Sequence, residues 1–128
     1  MASKIISTMA RSEVIKRSVF EWHHHLSNET RIGITKHFIH DLGKVNYIEY
    51  TKPVGNTFNK GDFIAFVEND KGIVSLEAPF DCQIIDIPNN TDSLIDNINH
   101  NSECKNKSWI VSISDISETD ILYAMAMI

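Results

Sequence analysis

A single lysine, Lys71, stands between two runs rich in Val, Ile and Phe, residues 63–68 and 73–78. Such runs predict strands, and the polar stretch between them, residues 69–72, predicts a tight hairpin turn. Asn, Asp and Gly tolerate turn geometry, and Gly72 can take a positive φ without strain. The pattern therefore predicts that Lys71 lies at the apex of a rigid hairpin, away from the core and within reach of other proteins.

The chemistry open to such a lysine is set by its neighbours. A catalytic lysine needs burial or cationic neighbours to make its amine reactive. The nearest charged residues to Lys71 are instead the acids Asp70 and Glu68. The residues therefore favour a lysine that another enzyme modifies over one that catalyses. A plain solvated turn lysine stays open as the alternative.

Length and composition exclude several classes of protein. The 128 residues suffice for one domain with a proper core. Twelve basic against 17 acidic residues give a net charge of −5, which argues against a nucleic-acid binder. No apolar run reaches the roughly 18 residues that a membrane-spanning helix needs, so no membrane partner is expected.

The cysteines and histidines do not have the spacing of a metal site. Cys82 and Cys104 are the only cysteines, and they form no C-x-x-C pair, so we expect free thiols and no metal. Neighbouring side chains of a strand point to opposite faces, so residues 23–25, three adjacent histidines, predict a solvated strand end. His37 and His40 lie three apart on a predicted helix and are expected to be a surface pair.

Short elements must position the lysine hairpin. Strands are expected at 19–22, 31–34, 44–51, 63–68, 73–78, 81–87 and 109–113, and helices at 36–42, 91–98 and near the C-terminus. Thr35 should cap the first helix and Gly43 should end it, while Thr91 or Asp92 should cap the second. Many short strands separated by turns predict a small β sandwich or barrel. The expected core residues are Trp22, Ile34, Phe63, Phe66, Ile84 and Trp109.

The N-terminal segment differs in composition from the rest of the chain. Residues 1–18 carry four basic residues, one acid and four serines. This composition is typical either of a basic tail or of a short organellar transit sequence. We expect residues 19–128 to form a single domain. A transit sequence would place the protein in a mitochondrial-type matrix, and a plain tail would leave it in the cytoplasm.

Ordered motifs along the chain resemble a known family. Residues 68–72, followed by Ala78-Pro79, resemble the lipoyl-lysine hairpin of the lipoyl/biotinyl-carrier superfamily. Further segments resemble the glycine cleavage system H proteins. They are Glu21-Trp22 and residues 32–35, 42–45, 47–50 and 109–111. The resemblance covers roughly residues 18–122. It implies a small barrel-sandwich hybrid with two or three short helices and the lysine hairpin at one end.

The resemblance implies a carrier protein and not an enzyme. Lipoate would be joined by an amide bond to Lys71 through a lipoate ligase or lipoyltransferase. The arm would take an aminomethyl group at a pyridoxal-phosphate-dependent glycine decarboxylase and pass it to a tetrahydrofolate-dependent aminomethyltransferase. Dihydrolipoamide dehydrogenase would then reoxidise it. A monomer is expected, and partners should dock around the hairpin tip through Glu68, Asp70, Gly72, Glu77 and Asp81.

Some residues depart from the family pattern and leave alternatives open. Asp70 stands where the family usually has Val, Gly72 where it has Ala, and Cys82 where it has Gly. Residues 103–108 replace a Gly-rich run. A lipoyl domain of a 2-oxoacid dehydrogenase is one alternative, although the segment 33–50 is typical of H proteins. A biotin carrier is disfavoured because its lysine is usually flanked by Met. A divergent H-like protein with a structural or regulatory role is the remaining alternative.

Overall fold

The computed structural model describes residues 15–17 and 19–116 of the chain. The strands of this part are β1 (Ile15–Arg17), β2 (Glu21–His25), β3 (Thr30–Ile34), β4 (Val45–Tyr50), β5 (Thr57–Phe58), β6 (Phe63–Asn69), β7 (Gly72–Glu77), β8 (Cys82–Asp86) and β9 (Trp109–Asp115). Helix α1 spans Lys36–Leu42, and helix α2 spans Thr91–Asn101. The expected C-terminal helix and residues 1–14 of the N-terminal segment lie outside the described residues.

The strands form two antiparallel sheets. The larger sheet has the order β1-β2-β3-β9-β8-β5, and the smaller has the order β4-β6-β7. The lysine hairpin is the β6–β7 pair of the smaller sheet. This mainly β architecture, with two sheets instead of one closed barrel, confirms the predicted fold class.

Apolar side chains fill two clusters. One joins the inner face of the smaller sheet to both helices and contains Ile34, Phe38, Val45, Ile48, Ala65, Val67, Leu76, Leu94, Ile98 and Ile110. The other contains Ile32, Phe58, Ile64, Ala78, Cys82, Ile84, Val111 and Ile113. Burial of apolar surface is the main driving force for folding. The first cluster therefore fixes the base of the lysine hairpin against the helices.

The six predicted core residues differ in burial. Trp22, Ile34 and Ile84 are fully buried. Phe66 and Trp109 are half-buried, and Phe63 is exposed. The prediction for Phe63 was wrong, because its side chain is 49% exposed. The register between β6 and β7 shifts between Phe63 and Ala65, so Ile64 and Ala65 are both buried. The irregularity breaks the alternation of faces on which the prediction depended.

Trp22 packs directly on Gly33 of the neighbouring strand. A Cβ at Gly33 would lie 2.1 Å from Cζ2 of the indole, so only glycine fits there. The indole Nε1–H donates to the Ser102 carbonyl oxygen at 3.0 Å, and the Lys105 ammonium lies 4.2 Å from the ring centroid. A Glu103 carboxylate oxygen accepts from the Lys36 backbone N–H at 3.0 Å. Residues 102–105 therefore hold both the tryptophan and the start of α1.

The capping residues predicted from the sequence are correct for α1 but not for α2. Thr35 caps α1 by accepting from the Phe38 N–H, and Gly43, with φ of 86°, ends it, as predicted. The cap of α2 is Asn90, whose side-chain oxygen accepts from the Ser93 N–H at 3.0 Å. The expected caps for α2 were therefore wrong. This helix also runs to Asn101, three residues beyond the predicted end at residue 98.

The three histidines lie inside a sheet and not at a solvated strand end. Strand β2 pairs with β1 on one side and with β3 on the other. His25 is only 7% exposed, and its Nδ1 lies 2.8 Å from the Thr30 Oγ1. The solvated-end prediction was therefore wrong for His25. Strand β1 also starts the sheet at residue 15, before residue 19, and the division of the chain at that point stays a prediction.

Candidate functional site

The β6–β7 hairpin turns through only two residues, Asp70 and Lys71. The last pair of the ladder joins Asn69 to Gly72. Both turn residues have negative φ, and Gly72 takes a φ of 146°, which glycine adopts without a Cβ clash. The Lys71 side chain is exposed at the apex, as the sequence predicts.

Asn69 fixes the backbone at the apex from below. Its side chain is buried, and its Oδ1 accepts from the Lys71 backbone N–H at 3.0 Å. Asn69 was not predicted as a site residue, although asparagine side chains commonly bond to the backbone two residues on, which is a local signal for this contact. The consequence is a braced backbone that carries an exposed lysine side chain.

Asp70 fixes the apex from the side. Its Oδ2 accepts from the Lys44 backbone N–H at 3.0 Å, and its Oδ1 accepts from the Asn46 Nδ2 at 3.1 Å. These bonds, that of Asn46 first, hold the pKa of Asp70 below its usual value. Gly43 makes room for the carboxylate, because a Cβ there would lie 2.5 Å from its Oδ2. We call this contact the Asp70 brace.

The segment that receives the Asp70 brace is itself anchored to α2. The Asn99 Oδ1 accepts from the Val45 backbone N–H, and the Asn99 Nδ2 donates to the Val45 carbonyl oxygen, both at 2.9 Å. A side-chain amide thus pairs with the first residue of β4 as a neighbouring strand would. The hairpin apex is therefore connected to α2 through Val45.

The end of α1 lies on the same side of the molecule as the apex. Asp41 accepts from His40 Nδ1 and pairs with His37 Nε2, both at 3.0 Å. The hydrogen bond from His40 is the main cause that lowers the pKa of Asp41, and the charge of Lys71 acts in the same direction. Both histidine side chains are exposed, in agreement with a surface pair.

The structure brings together only part of the expected docking group. Glu68, Asp70 and Gly72 lie at the apex beside Lys71. Glu77 pairs with Phe63 at the opposite end of the hairpin, about 17 Å along the strand from Gly72 at 3.4 Å per residue. Asp81 accepts from the Lys60 backbone N–H at that far end. Glu77 and Asp81 were thus wrongly expected at the tip, because β7 carries the chain away from it.

The thiol of Cys82 lies outside the hairpin that carries Lys71. Cys82 is buried in β8, and burial, followed by the charges of Asp115, Asp81 and Asp62, raises the pKa of its thiol to about 11.

Within residues 15–17 and 19–116, no group of three or more His, Cys, Asp or Glu side chains is arranged to hold a metal. Among the same residues, no helix has the length and apolar character needed to cross a bilayer.

This arrangement suits a covalent anchor. The primary amine of Lys71 is exposed, and it is the only basic group between residues 61 and 81. It stands on a backbone that Asn69 and the Asp70 brace hold in place. An amide formed at its Nζ would project a carboxylic-acid cofactor into solvent without disturbing the core.

Comparison with known proteins agrees with this geometry. The family model described as "Glycine cleavage H-protein" matches residues 15–126. A glycine cleavage system H protein of Dinoroseobacter shibae is 41% identical over 66 residues, which cover 52% of this chain and 53% of that protein. The match thus spans about half the length of this relative.

Two further proteins extend the comparison over more of the chain. A glycine cleavage system H protein of Myxococcus xanthus is 30% identical over 103 residues, covering 78% of this chain and 77% of that protein. The crystal structure of one from Mycobacterium marinum superposes with a TM-score of 0.64 at 22% identity, covering 79% and 82% of the two chains. These relatives are bacterial and lend no support to a mitochondrial transit sequence. Since the family model covers most of the sequence, the chain belongs to the glycine cleavage H-protein family.

Proposed function

We propose that this protein is the lipoyl carrier of a glycine cleavage system, with lipoate attached to Lys71. The single observation that carries the proposal is an exposed lysine amine at the apex of a braced two-residue turn. Membership of the family supports a carrier and not an enzyme. Residues 1–18 are proposed as a basic N-terminal segment, whose residues Ile15–Arg17 add strand β1 to the larger sheet of the carrier domain.

The residues at the apex fit the proposed cofactor. Lys71 supplies the amine for the amide bond, and its stem lets the attached group move. Asn69 and Asp70 keep the backbone still, so that only the arm moves. The attached lipoyl group would supply the disulfide that accepts the aminomethyl carbon. Tethering raises the effective concentration of this group at each partner, because it need not dissociate between them.

The proposed partners are those of the glycine cleavage system. They are a pyridoxal-phosphate-dependent glycine decarboxylase, a tetrahydrofolate-dependent aminomethyltransferase and dihydrolipoamide dehydrogenase. A lipoate ligase or lipoyltransferase would modify Lys71. Each partner must reach the same apex, so the exposed side chains around Lys71 decide how well each one docks.

The proposal is tested first by intact mass. The protein is incubated with lipoate, ATP and a lipoate ligase, and Lys71→Arg serves as the control because it keeps the charge and removes the acylable amine. Wild type should gain one lipoyl group and the variant none. A lipoyl mass on the Arg variant would contradict the assignment of Lys71.

A second assay separates the two candidate pathways. Asp70 beside Lys71 resembles the pair found in lipoyl domains of 2-oxoacid dehydrogenases, so both routes are measured on the same lipoylated sample. We expect glycine-dependent exchange of labelled bicarbonate with a glycine decarboxylase. Acylation by a 2-oxoacid dehydrogenase without this exchange would favour the alternative. Failure of both reactions would favour a structural or regulatory role.

A further inference from the structure

The three-stranded sheet turns one face outward, and the register defines its rows. Tyr47, Glu68 and Ile73 lie opposite one another across β4, β6 and β7. The next rows add Glu49, Phe66, Ser75, Phe63 and Glu77. We call these eight side chains the outer face. The first row stands one residue step, about 3.4 Å, from the Asn69–Gly72 pair that closes the hairpin.

The outer face is unusually apolar for a surface. Ile73 is 68% exposed, Tyr47 is 52% exposed and Phe63 is 49% exposed. Phe66 is half-buried and packs edge-on against Phe63, with ring centroids 5.7 Å apart. Exposed apolar side chains that gather on one surface typically mark an interaction site. Tyr and Phe are also enriched in the cores of protein interfaces.

The charges of the outer face all have one sign. Glu49, Glu68 and Glu77 are exposed, and none of the eight side chains of this face is a lysine or an arginine. A partner surface that matches this face therefore carries basic groups around an apolar centre. Arginine suits it best, because a guanidinium can pair with a carboxylate and also stack on an aromatic ring such as that of Tyr47.

The length of the lysine side chain decides which partner must contact the first row. The Nζ of a lysine lies at most about 6 Å from its Cα, given five bonds of about 1.5 Å each. An enzyme that acylates Nζ must therefore bring its own surface against the residues beside the apex. An enzyme that acts on the far end of a finished arm can stand further away. The first row, with Tyr47 and Ile73, stands next to the pair that closes the hairpin and is therefore among the surfaces that such an enzyme can reach.

We propose that the enzyme that joins lipoate to Lys71 docks on the outer face, with apolar contacts to Tyr47 and Ile73 and arginine contacts to the surrounding glutamates. This inference rests on the proposed function, since it concerns the modification of the same lysine. It assigns a role to Tyr47 and Ile73, which are exposed and do not pack in the core. At this level of the sheet the core contacts come from their chain neighbours Ile48 and Val74, on the inner face.

The test measures kcat/KM for lipoylation by a lipoate ligase with lipoate and ATP, at varied carrier concentration. The test variant is Tyr47→Ser/Ile73→Ser, and the matched control is Val54→Ser/Ile85→Ser. The control removes two exposed apolar side chains that lie off the outer face. Tyr47→Phe keeps the ring and serves as the conservative variant. Circular dichroism and thermal unfolding verify that all four proteins fold.

We expect the test variant to lose at least 10-fold in kcat/KM, mainly through KM, while the control and Tyr47→Phe stay within 2-fold of wild type. Once lipoylated at high enzyme concentration, the test variant should have its lipoyl disulfide reduced by NADH and dihydrolipoamide dehydrogenase, the reverse of the reoxidation step, at the wild-type rate. A test variant that is lipoylated as fast as wild type would overturn the docking face and leave Lys71 as the carrier residue. Wild type that gains no lipoyl group would overturn the carrier function itself.

A second copy of the chain is the competing occupant of this face. Sedimentation of wild type and of the test variant at 10 to 100 times the concentration used in the assay distinguishes the two. A monomer throughout supports the docking proposal. A wild-type dimer that the Tyr47→Ser/Ile73→Ser substitution dissociates would overturn it, because the face would then be occupied by the chain itself.

Discussion

The carboxylate of Asp70 accepts a hydrogen bond from the backbone N–H of Lys44, 3.0 Å away. The bond joins the apex of the lysine hairpin to a residue 26 positions earlier in the chain. Asn46 binds the other oxygen of the same carboxylate. The pairing of β6 with β4 ends at Val45 and Asn69, so the two turn residues lie beyond the last pair of that ladder. The Asp70 brace gives the apex a second attachment to the body of the protein.

Replacing Asn46 should raise the pKa of Asp70. The bond from Asn46 is the largest cause of the lowered value, so Asn46→Ala should move it back towards the ordinary value of 3.8. Because the folded value is lowered, the brace is intact above about pH 4 and is lost as the pH falls through the folded pKa. NMR titration of the Asp70 carboxyl carbon measures the change, with Asn106→Ala as the control. An unchanged value would contradict the hydrogen bond.

Removing the carboxylate should free the Lys44 amide without unfolding the protein. In Asp70→Ala, the Lys44 N–H loses its acceptor, and we expect its hydrogen exchange to accelerate at least 10-fold. Asp96→Ala removes an exposed carboxylate from α2 and should leave this amide unchanged. Hydrogen exchange measured by NMR provides the readout. Equal protection in both variants would mean that the Asp70 brace does not form in solution.

The sequence predicts these features unevenly. Helix α1 was predicted with both ends correct, because Thr35 and Gly43 act on their own neighbours. The hairpin was located for the same reason. Phe63 was misplaced because a register shift is set by the pairing of two strands, and the residue types along one strand do not reveal it.

The contacts around the apex were not predictable from spacing alone. The Asp70 brace joins segments 26 positions apart, and no local pattern in the sequence reveals such a bond. Glu77 and Asp81 were assigned to the tip because they follow Lys71 closely in the chain. A strand covers about 3.4 Å per residue, so a separation of about six residues becomes a large distance in space.

A methyl group at position 33 should destabilise the fold. In Gly33→Ala the new Cβ would meet the Trp22 ring, which the bond to the Ser102 carbonyl and the Lys105 ammonium hold in place. Overpacking of this kind costs about 1–3 kcal/mol, and we expect the upper end of that range. Urea unfolding measures the change. The smaller ring of Trp22→Phe should relieve the contact, so the double variant should be less destabilised than the sum of the two single variants.

Cys82 should resist alkylation. The pKa of its thiol is raised to about 11, so at pH 8 only about one molecule in a thousand carries the reactive thiolate, and the side chain is buried. Cys104 is half-buried, and we expect iodoacetamide to label it at least 10-fold faster. Peptide mass spectrometry at timed intervals follows both sites. Faster labelling of Cys82 would indicate that β8 opens readily.

Acidic residues should affect docking according to their distance from the apex. Glu68 lies one residue pair from the turn, whereas Asp81 lies beyond the far end of the hairpin. The Debye length is about 8 Å at physiological ionic strength, so a charge about 17 Å away along the strand is largely screened from a partner at the apex. The proposed lipoylation would also remove the positive charge of Lys71 and leave this end more acidic. We therefore expect Glu68→Gln to slow the association of lipoylated protein with glycine decarboxylase several-fold at physiological ionic strength, and Asp81→Asn to leave it unchanged.

Stopped-flow association rates from physiological ionic strength upward measure both variants, and the difference should vanish near 1 M salt, where the Debye length is about 3 Å. Equal rates for the two variants at physiological ionic strength would show that shape, and not charge at the apex, sets the encounter.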